Sequence, residues 1–90
     1  MAAEITPRQA VIIGAWRRWV AMHHAGPSFD DLAAEAHVSH TTARREVAEL
    51  HRLAYFDRPP GRRGRSRLVR AEDGSRIEIM WVERGPQATP

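Results

Sequence analysis

The stretch FDDLAAEAHVSHTTARREVAELHRLAYFDR, residues 29–58, decides the fold that the sequence predicts. Apolar residues at helical spacing near its start predict a short helix with a small apolar face. That face consists of Phe29, Leu32, Ala33 and Ala36. The next three residues, His37-Val38-Ser39, are too few for anything except a turn. Ser39 can cap a longer helix that runs to about Leu53, so two helices joined by a tight turn are predicted.

Another helix is predicted upstream of this pair. Thr6 can cap its free N–H groups, Pro7 suits the first helical position, and Gln9 completes a capping box. Gly26-Pro27 ends the helix, and Ser28, with Asp31 three residues on, can cap the following one. The predicted buried stripe of the first helix is Ile12, Trp16, Trp19, Val20 and His23. The corresponding stripe of the third helix is Ala43, Val47, Leu50 and Ala54.

Short strands are predicted downstream of the helices. Residues 55–58, 66–71 and 76–82 have strand character, and the last alternates Ile77, Ile79 and Trp81 with other residues. Pro and Gly open the first connection, and Glu72-Asp73-Gly74-Ser75 contains the Asp-Gly pair of a tight hairpin. The expected fold class is therefore α+β, with a three-helix bundle followed by a two- to three-stranded antiparallel sheet.

Positive charge is concentrated in the first of these connections. Between residues 58 and 70 the chain has six arginines and no acidic residue, whereas the formal net charge of the whole chain is only +3. The rest of the sequence is therefore net negative. A basic segment on an otherwise ordinary body is typical of proteins that bind nucleic acid.

The order helix, helix, turn, helix, strand, basic loop, strand resembles the winged helix-turn-helix family of DNA-binding domains. The resemblance is carried by the Leu-Ala pair of the second helix, the Val-Ser turn, the paired basic residues Arg44-Arg45, and Leu53 before the first strand. Residues 5–9 and 26–28 are also similar to the amino-terminal domain of LexA-type repressors. The chain departs from the family at Ala54, where a glycine with positive φ is usual. The exit from the helix must therefore use another geometry or tolerate strain.

The resemblance implies that the third helix, about residues 39–53, enters the DNA major groove, and that the wing, about residues 59–67, contacts the backbone or the minor groove. Residues near the amino end of that helix reach base edges first, and arginine can bind guanine through two hydrogen bonds. The predicted DNA-binding residues are Ser28, Ser39, His40, Thr41, Thr42, Arg44, Arg45, Arg62, Arg63, Arg65 and Arg67.

The expected function is a sequence-specific double-stranded DNA-binding protein, a transcriptional regulator that acts in the cytoplasm on the nucleoid, with a homodimer as a candidate assembly. Alternatives are a replication, partition or recombination accessory protein, a winged-helix protein-interaction module, and an RNA-binding protein. The chain has 90 residues, which suits one domain over 1–83 with a flexible tail at 84–90.

Several classes of function have no support in the residues. The chain has no cysteine, which excludes disulfides and thiolate metal sites. His37 and His40 have the spacing of a zinc pair but straddle a turn, so we expect no metal and no other cofactor. No catalytic triad order or phosphate-binding glycine motif is present, and we expect neither catalysis nor a membrane span.

Overall fold

Three helices, each begun by a side-chain hydroxyl cap, form most of the chain that the computed structural model describes, which is residues 4–57 and 67–78. Helix α1 spans Pro7–His23, α2 spans Phe29–Ala36 and α3 spans His40–Arg52. Thr6 and Ser28 begin the first two through reciprocal capping boxes with Gln9 and Asp31, as predicted. All three helices pack on one another as a compact bundle.

The core lies between the three helices and the segment that follows α3. From α1 come Ile12, Ile13 and Trp16, and Trp16 meets Phe56 edge to face with ring centroids 5.9 Å apart. The other large members are Val20, Leu32, Val47, Leu50, Tyr55, Phe56 and Leu68. Most of the predicted stripes are confirmed, because helical periodicity places these residues on the inner faces.

Three residues of the predicted stripes lie outside the core. His23 is exposed and Trp19 is half-buried, and their rings stack with centroids 3.8 Å apart on the outside of α1. Val20, which lies between them in the sequence, is buried, so the buried stripe continues through Val20 and the other two residues lie beside it. Ala54 is also exposed, because α3 ends before it and the chain turns away from the helical course.

The exit from α3 uses a left-handed residue that is not glycine. Ala54 has φ 70°, its amide donates to the His51 carbonyl at 2.9 Å, and the Tyr55 amide donates to the Leu50 carbonyl at 2.8 Å. This pair of bonds is the Schellman arrangement, with buried Tyr55 and Leu50 on either side of the turn. The sequence left open whether Ala54 uses another geometry or tolerates strain. The structure has the second, because Ala54 adopts the left-handed conformation usual for glycine at this position. Left-handed backbone costs an L-residue roughly 1–2 kcal/mol.

The residues after α3 pair through isolated bridges. Phe56 pairs with Leu68 and Arg70 pairs with Arg76, both antiparallel. Residues 67–71 thus lie between 55–57 on one side and 75–77 on the other, through backbone bonds that include Val69 to Tyr55 at 2.8 Å and Ile77 to Val69 at 3.1 Å. No continuous strand forms in the described residues. The predicted strands extend into 58, 66 and 79–82, and Trp81 and the predicted tail at 84–90 also lie outside the described residues.

The Asp-Gly connection is present as a hairpin turn. The Gly74 amide donates to the Ala71 carbonyl at 2.9 Å, and Gly74 itself has φ 89°. The hydroxyl and the amide of Ser75 both donate to the Asp73 carboxylate and lower its pKa below the usual range. Glu72 accepts from Arg17 at 2.8 Å, which fastens the turn to α1.

Candidate nucleic-acid interface

The amino end of α3 is built by a serine cap. The Ser39 hydroxyl oxygen accepts from the Thr42 amide at 3.0 Å and also donates to the Thr42 hydroxyl at 3.0 Å. The two predicted site residues are therefore bonded to each other, and Thr42 is half-buried. Their contribution is to fix the start of the helix, because their polar atoms already have partners within it.

Four other predicted site residues form an exposed surface around this end. Ala43 and Val47 mark the face of α3 that is buried in the core, and several residues on its other faces are exposed to solvent. These exposed residues, called here the amino-terminal face of α3, are His40, Thr41, Arg44 and Arg45.

Two members of the amino-terminal face are held by the first turn of α2. The His40 Nδ1 lies 2.6 Å from the Asp30 carboxylate, and the His40 ring lies 5.8 Å from the Phe29 ring, centroid to centroid. The Arg44 guanidinium carbon lies 5.1 Å above the centroid of the Phe29 ring, within reach of a cation–π attraction. Phe29 thus supports both side chains from below.

The other two members have no such support. Within residues 4–57 and 67–78, the side chains of Thr41 and Arg45 make no hydrogen bond or ion pair. An arginine in that position keeps its five N–H donors for an incoming acceptor. A carboxylate, a phosphate or the acceptor edge of guanine fits that donor pattern.

Glu46, Glu49 and Arg52 in the carboxyl-terminal half of α3 have hydrogen-bond partners within the protein. Glu46 accepts from the Gln9 side chain at 3.2 Å, and Glu49 binds Arg52 through both of its oxygens. The hydrogen bonds from Arg52 hold the pKa of the Glu49 carboxyl below its usual range and raise the pKa of Arg52. Arg45 and Arg52 lie seven residues, or about two helical turns, apart on one helix face. Only the first of these two has its charge open to an outside partner.

Ser28 occupies a more acidic place than the sequence suggested. Its hydroxyl accepts from the Asp31 amide at 3.0 Å, and the Asp31 carboxylate accepts from the Ser28 amide at 3.2 Å. Asp30 and Asp31 also provide negative charge in this first turn of α2. A phosphate here would meet two carboxylates, which opposes the helix-terminus attraction for anions.

Asp57 precedes the predicted wing and Arg67 is its last residue, and the two are bonded to each other. The Asp57 amide donates to the Arg67 carbonyl at 3.0 Å, and the Arg67 amide donates to the Asp57 carboxylate at 2.8 Å. In the sequence, the nine residues between this pair include four arginines. The predicted site residues Arg62, Arg63 and Arg65 lie outside the described residues.

Phe29 and Asp30 are the neighbours of the site that sequence reasoning missed. Asp31 completes the capping box of α2, and a second carboxylate in the first turn is favoured by the helix dipole alone, so the sequence carried no signal that Asp30 bonds to His40. Its partner, ten residues further along, depends on how α2 and α3 pack, which local patterns do not report.

Comparisons with known proteins returned no relatives: no family model matches the sequence, and no curated protein or solved structure matches it. Within residues 4–57 and 67–78, no group of three or more side chains could hold a metal ion, and no helix is long and apolar enough to cross a bilayer. The function is therefore inferred from the geometry and charge of the described residues.

Proposed function

We propose that this protein is a sequence-specific double-stranded DNA-binding protein of the winged helix-turn-helix type, acting as a transcriptional regulator. Helix α3 enters the major groove with its amino-terminal face against the bases. The arginine-rich segment after α3 contacts the DNA backbone or the minor groove.

The geometry of α2 and α3 supports the first part of this proposal. Three residues connect the two helices, which is the connection length typical of helix-turn-helix domains. An α-helix fits the major groove, and residues at its amino end reach base edges. His40, Thr41, Arg44 and Arg45 are the exposed side chains at that end of α3.

The pairing after α3 supports the second part. Residues 67–71 bond to 55–57 and to 75–77, an arrangement consistent with the small antiparallel sheet of a winged domain. The Asp57–Arg67 bonds join the two residues that flank the arginine-rich segment 58–66, and Asp57 comes five residues after the end of α3. In the proposed function this segment supplies positive charge for contacts with the DNA backbone.

One observation carries the proposal. Arg17, Arg18 and Arg52 each bind a carboxylate of this protein, whereas Arg44 and Arg45 bind none among the described residues. Arg8 and Arg76 also bind none there, but only Arg44 and Arg45 are neighbours at the amino end of one helix. The guanidinium groups on the amino-terminal face of α3 are therefore open to an external anion or base. The acidic turn at Asp30 and Asp31 limits how much phosphate can gather at this end, which favours contact with bases.

Binding is tested first by electrophoretic mobility shift with random duplex DNA, single-stranded DNA and structured RNA. A duplex library is then selected on the wild-type protein, and Arg44→Ala and Arg45→Ala are compared with Arg52→Ala on the selected site. Loss of base preference in the first two variants alone supports the proposal. Equal binding to all three probe types, or no binding to duplex DNA, contradicts it.

The selected sequence also tests the assembly state. A two-fold symmetric site with half-sites about one helical turn apart would fit a homodimer, because the symmetry of the protein is repeated in its target. A single asymmetric site would fit a monomer.

A further inference from the structure

The contact between Asp30 and His40 fixes which nitrogen of the imidazole carries hydrogen. An ionised carboxylate can only accept hydrogen bonds, so the His40 Nδ1 at 2.6 Å must be the donor. The other ring nitrogen, Nε2, makes no hydrogen bond with the described residues, and the side chain is 51% exposed. A neutral His40 therefore offers an acceptor at Nε2.

The ring is also held in position from a second side. The Phe29 ring lies against His40, and the same phenyl group supports Arg44. Two contacts from one turn of α2 thus orient two side chains of α3. A histidine whose proton and ring plane are both set can discriminate between hydrogen-bond donors and acceptors, because which nitrogen donates is decided by the bond that the other one makes.

Base edges in the major groove differ in whether they present a hydrogen-bond donor or an acceptor. Adenine and cytosine each present an amino group, whereas guanine and thymine present acceptors at the corresponding positions. An acceptor at Nε2 pairs with the amino group and is repelled by the carbonyl oxygens.

We propose that Asp30 is a positioning residue for base specificity: by holding the proton of His40 on Nδ1, it makes His40 select an adenine or cytosine amino group. This inference rests on the proposed DNA-binding function. Asp30 itself is a carboxylate close to the DNA side of the protein, so it lowers affinity for every duplex while it sharpens the choice among them.

An alternative role for Asp30 is purely structural. Exposed ion pairs contribute little stability, and the Asp30 side chain is 85% exposed. A structural role alone would predict that removing the carboxylate changes neither the tautomer of His40 nor the base preference.

The first measurement needs no DNA. Long-range ¹H–¹⁵N NMR spectra at pH 8.5, above the range in which histidines are ordinarily protonated, report the tautomer of each imidazole. We expect wild-type His40 to carry its proton on Nδ1, and Asp30→Ala to raise the fraction protonated on Nε2. A wild-type His40 protonated on Nε2 would overturn the inference, whatever the protein binds.

The second measurement is base preference on a selected duplex library. We expect one position to prefer adenine or cytosine, and Asp30→Ala to reduce that preference by about 3- to 10-fold, the worth of one hydrogen bond. Asp31→Asn is the matched control, because it removes one carboxylate from the same turn and keeps an oxygen for the Ser28 amide. Both variants should bind all duplexes somewhat more tightly, and only the first should lose preference.

The outcomes separate this inference from the proposed function. Absence of duplex binding contradicts both. Sequence-specific binding with an unchanged preference in Asp30→Ala, or an equal change in Asp31→Asn, contradicts only the role of Asp30. In a His40→Ala background, Asp30→Ala should alter the preference no further, since the two residues act as a unit.

Discussion

The two halves of α3 carry similar residues and use them differently. In the amino-terminal half, Arg44 rests on an aromatic ring and Arg45 has no partner among the described residues, while in the carboxyl-terminal half Glu46 and Arg52 are bonded within the protein. Exposure does not separate them, because both Arg45 and Arg52 are exposed. The two arginines differ in that Arg52 has a carboxylate partner within the protein, Glu49. The arginines of α3 that bind no carboxylate among the described residues are therefore those of its amino-terminal half.

The largest expected effect concerns the segment that follows the carboxyl-terminal half. Neutralising about six phosphates gives a slope of log affinity against log salt near −5. Changing Arg62, Arg63 and Arg65 together to Ala should leave about three of these contacts, bring that slope to about −2.7 and weaken all duplexes alike. Binding titrations at several salt concentrations measure this. A slope that stays unchanged would mean that the segment does not touch DNA and that α3 binds without it.

The comparison between the two halves is tested directly by single arginines. Arg45→Ala should lose about 1–3 kcal/mol of discrimination at one base position, because a bidentate contact to a base is lost. Arg52→Ala should change affinity for the selected site by less than about threefold, since its guanidinium is already paired with Glu49. Fluorescence anisotropy on the selected site measures both. Equal losses of affinity in the two variants would show that pairing with Glu49 does not keep Arg52 from contributing to binding.

The carboxyl-terminal exit of α3 is expected to respond to the removal of strain. Ala54→Gly should stabilise the protein by about 0.5–1 kcal/mol, because relief of left-handed strain exceeds the added flexibility of the unfolded chain. Ala48→Gly, the same change made inside α3, should destabilise the protein by about 1 kcal/mol. Urea unfolding measures both, and the opposite signs exclude a general effect of glycine.

The smallest expected effect is on proton binding in the carboxyl-terminal half. Arg52 lowers the pKa of Glu49, so the pair stabilises the folded state above the ordinary carboxyl range and loses that contribution as pH falls through the lowered value. Arg52→Ala should raise the pKa of Glu49 towards its usual value, followed by NMR titration. An unchanged value in the variant would show that the two side chains are not paired in solution.

Local signals in the sequence predicted the helices well. Thr6 with Gln9, Ser28 with Asp31, and Ser39 are capping patterns that act within one turn, and all three begin a helix in the structure. The buried stripes followed from helical periodicity for the same reason. The errors were Trp19 and His23, which lie beside the buried stripe of α1, and Ala54, which lies beyond the end of α3.

Contacts between elements could not be predicted from such signals. The bond of Asp30 to His40, the support of Arg44 by Phe29 and the docking of Glu72 on Arg17 all depend on how helices and turns pack. Ala54 was recognised as unusual from the sequence, but two geometries were compatible with it. Whether strain is tolerated depends on the burial of Leu50 and Tyr55 beside it, a tertiary property.

Gln9 joins the beginning of the bundle to α3. Its side-chain oxygen accepts from the Thr6 amide at 3.0 Å, its nitrogen donates to Glu46 at 3.2 Å, and the residue is only 6% exposed. Helix ends ordinarily fray independently of the rest of a domain. Here, opening the first turn of α1 also breaks a bond to α3, directly beside Arg45. We therefore expect the amide hydrogen of Thr6 to exchange with solvent about 2- to 10-fold more slowly than it would without the bond to Glu46, the worth of one hydrogen bond.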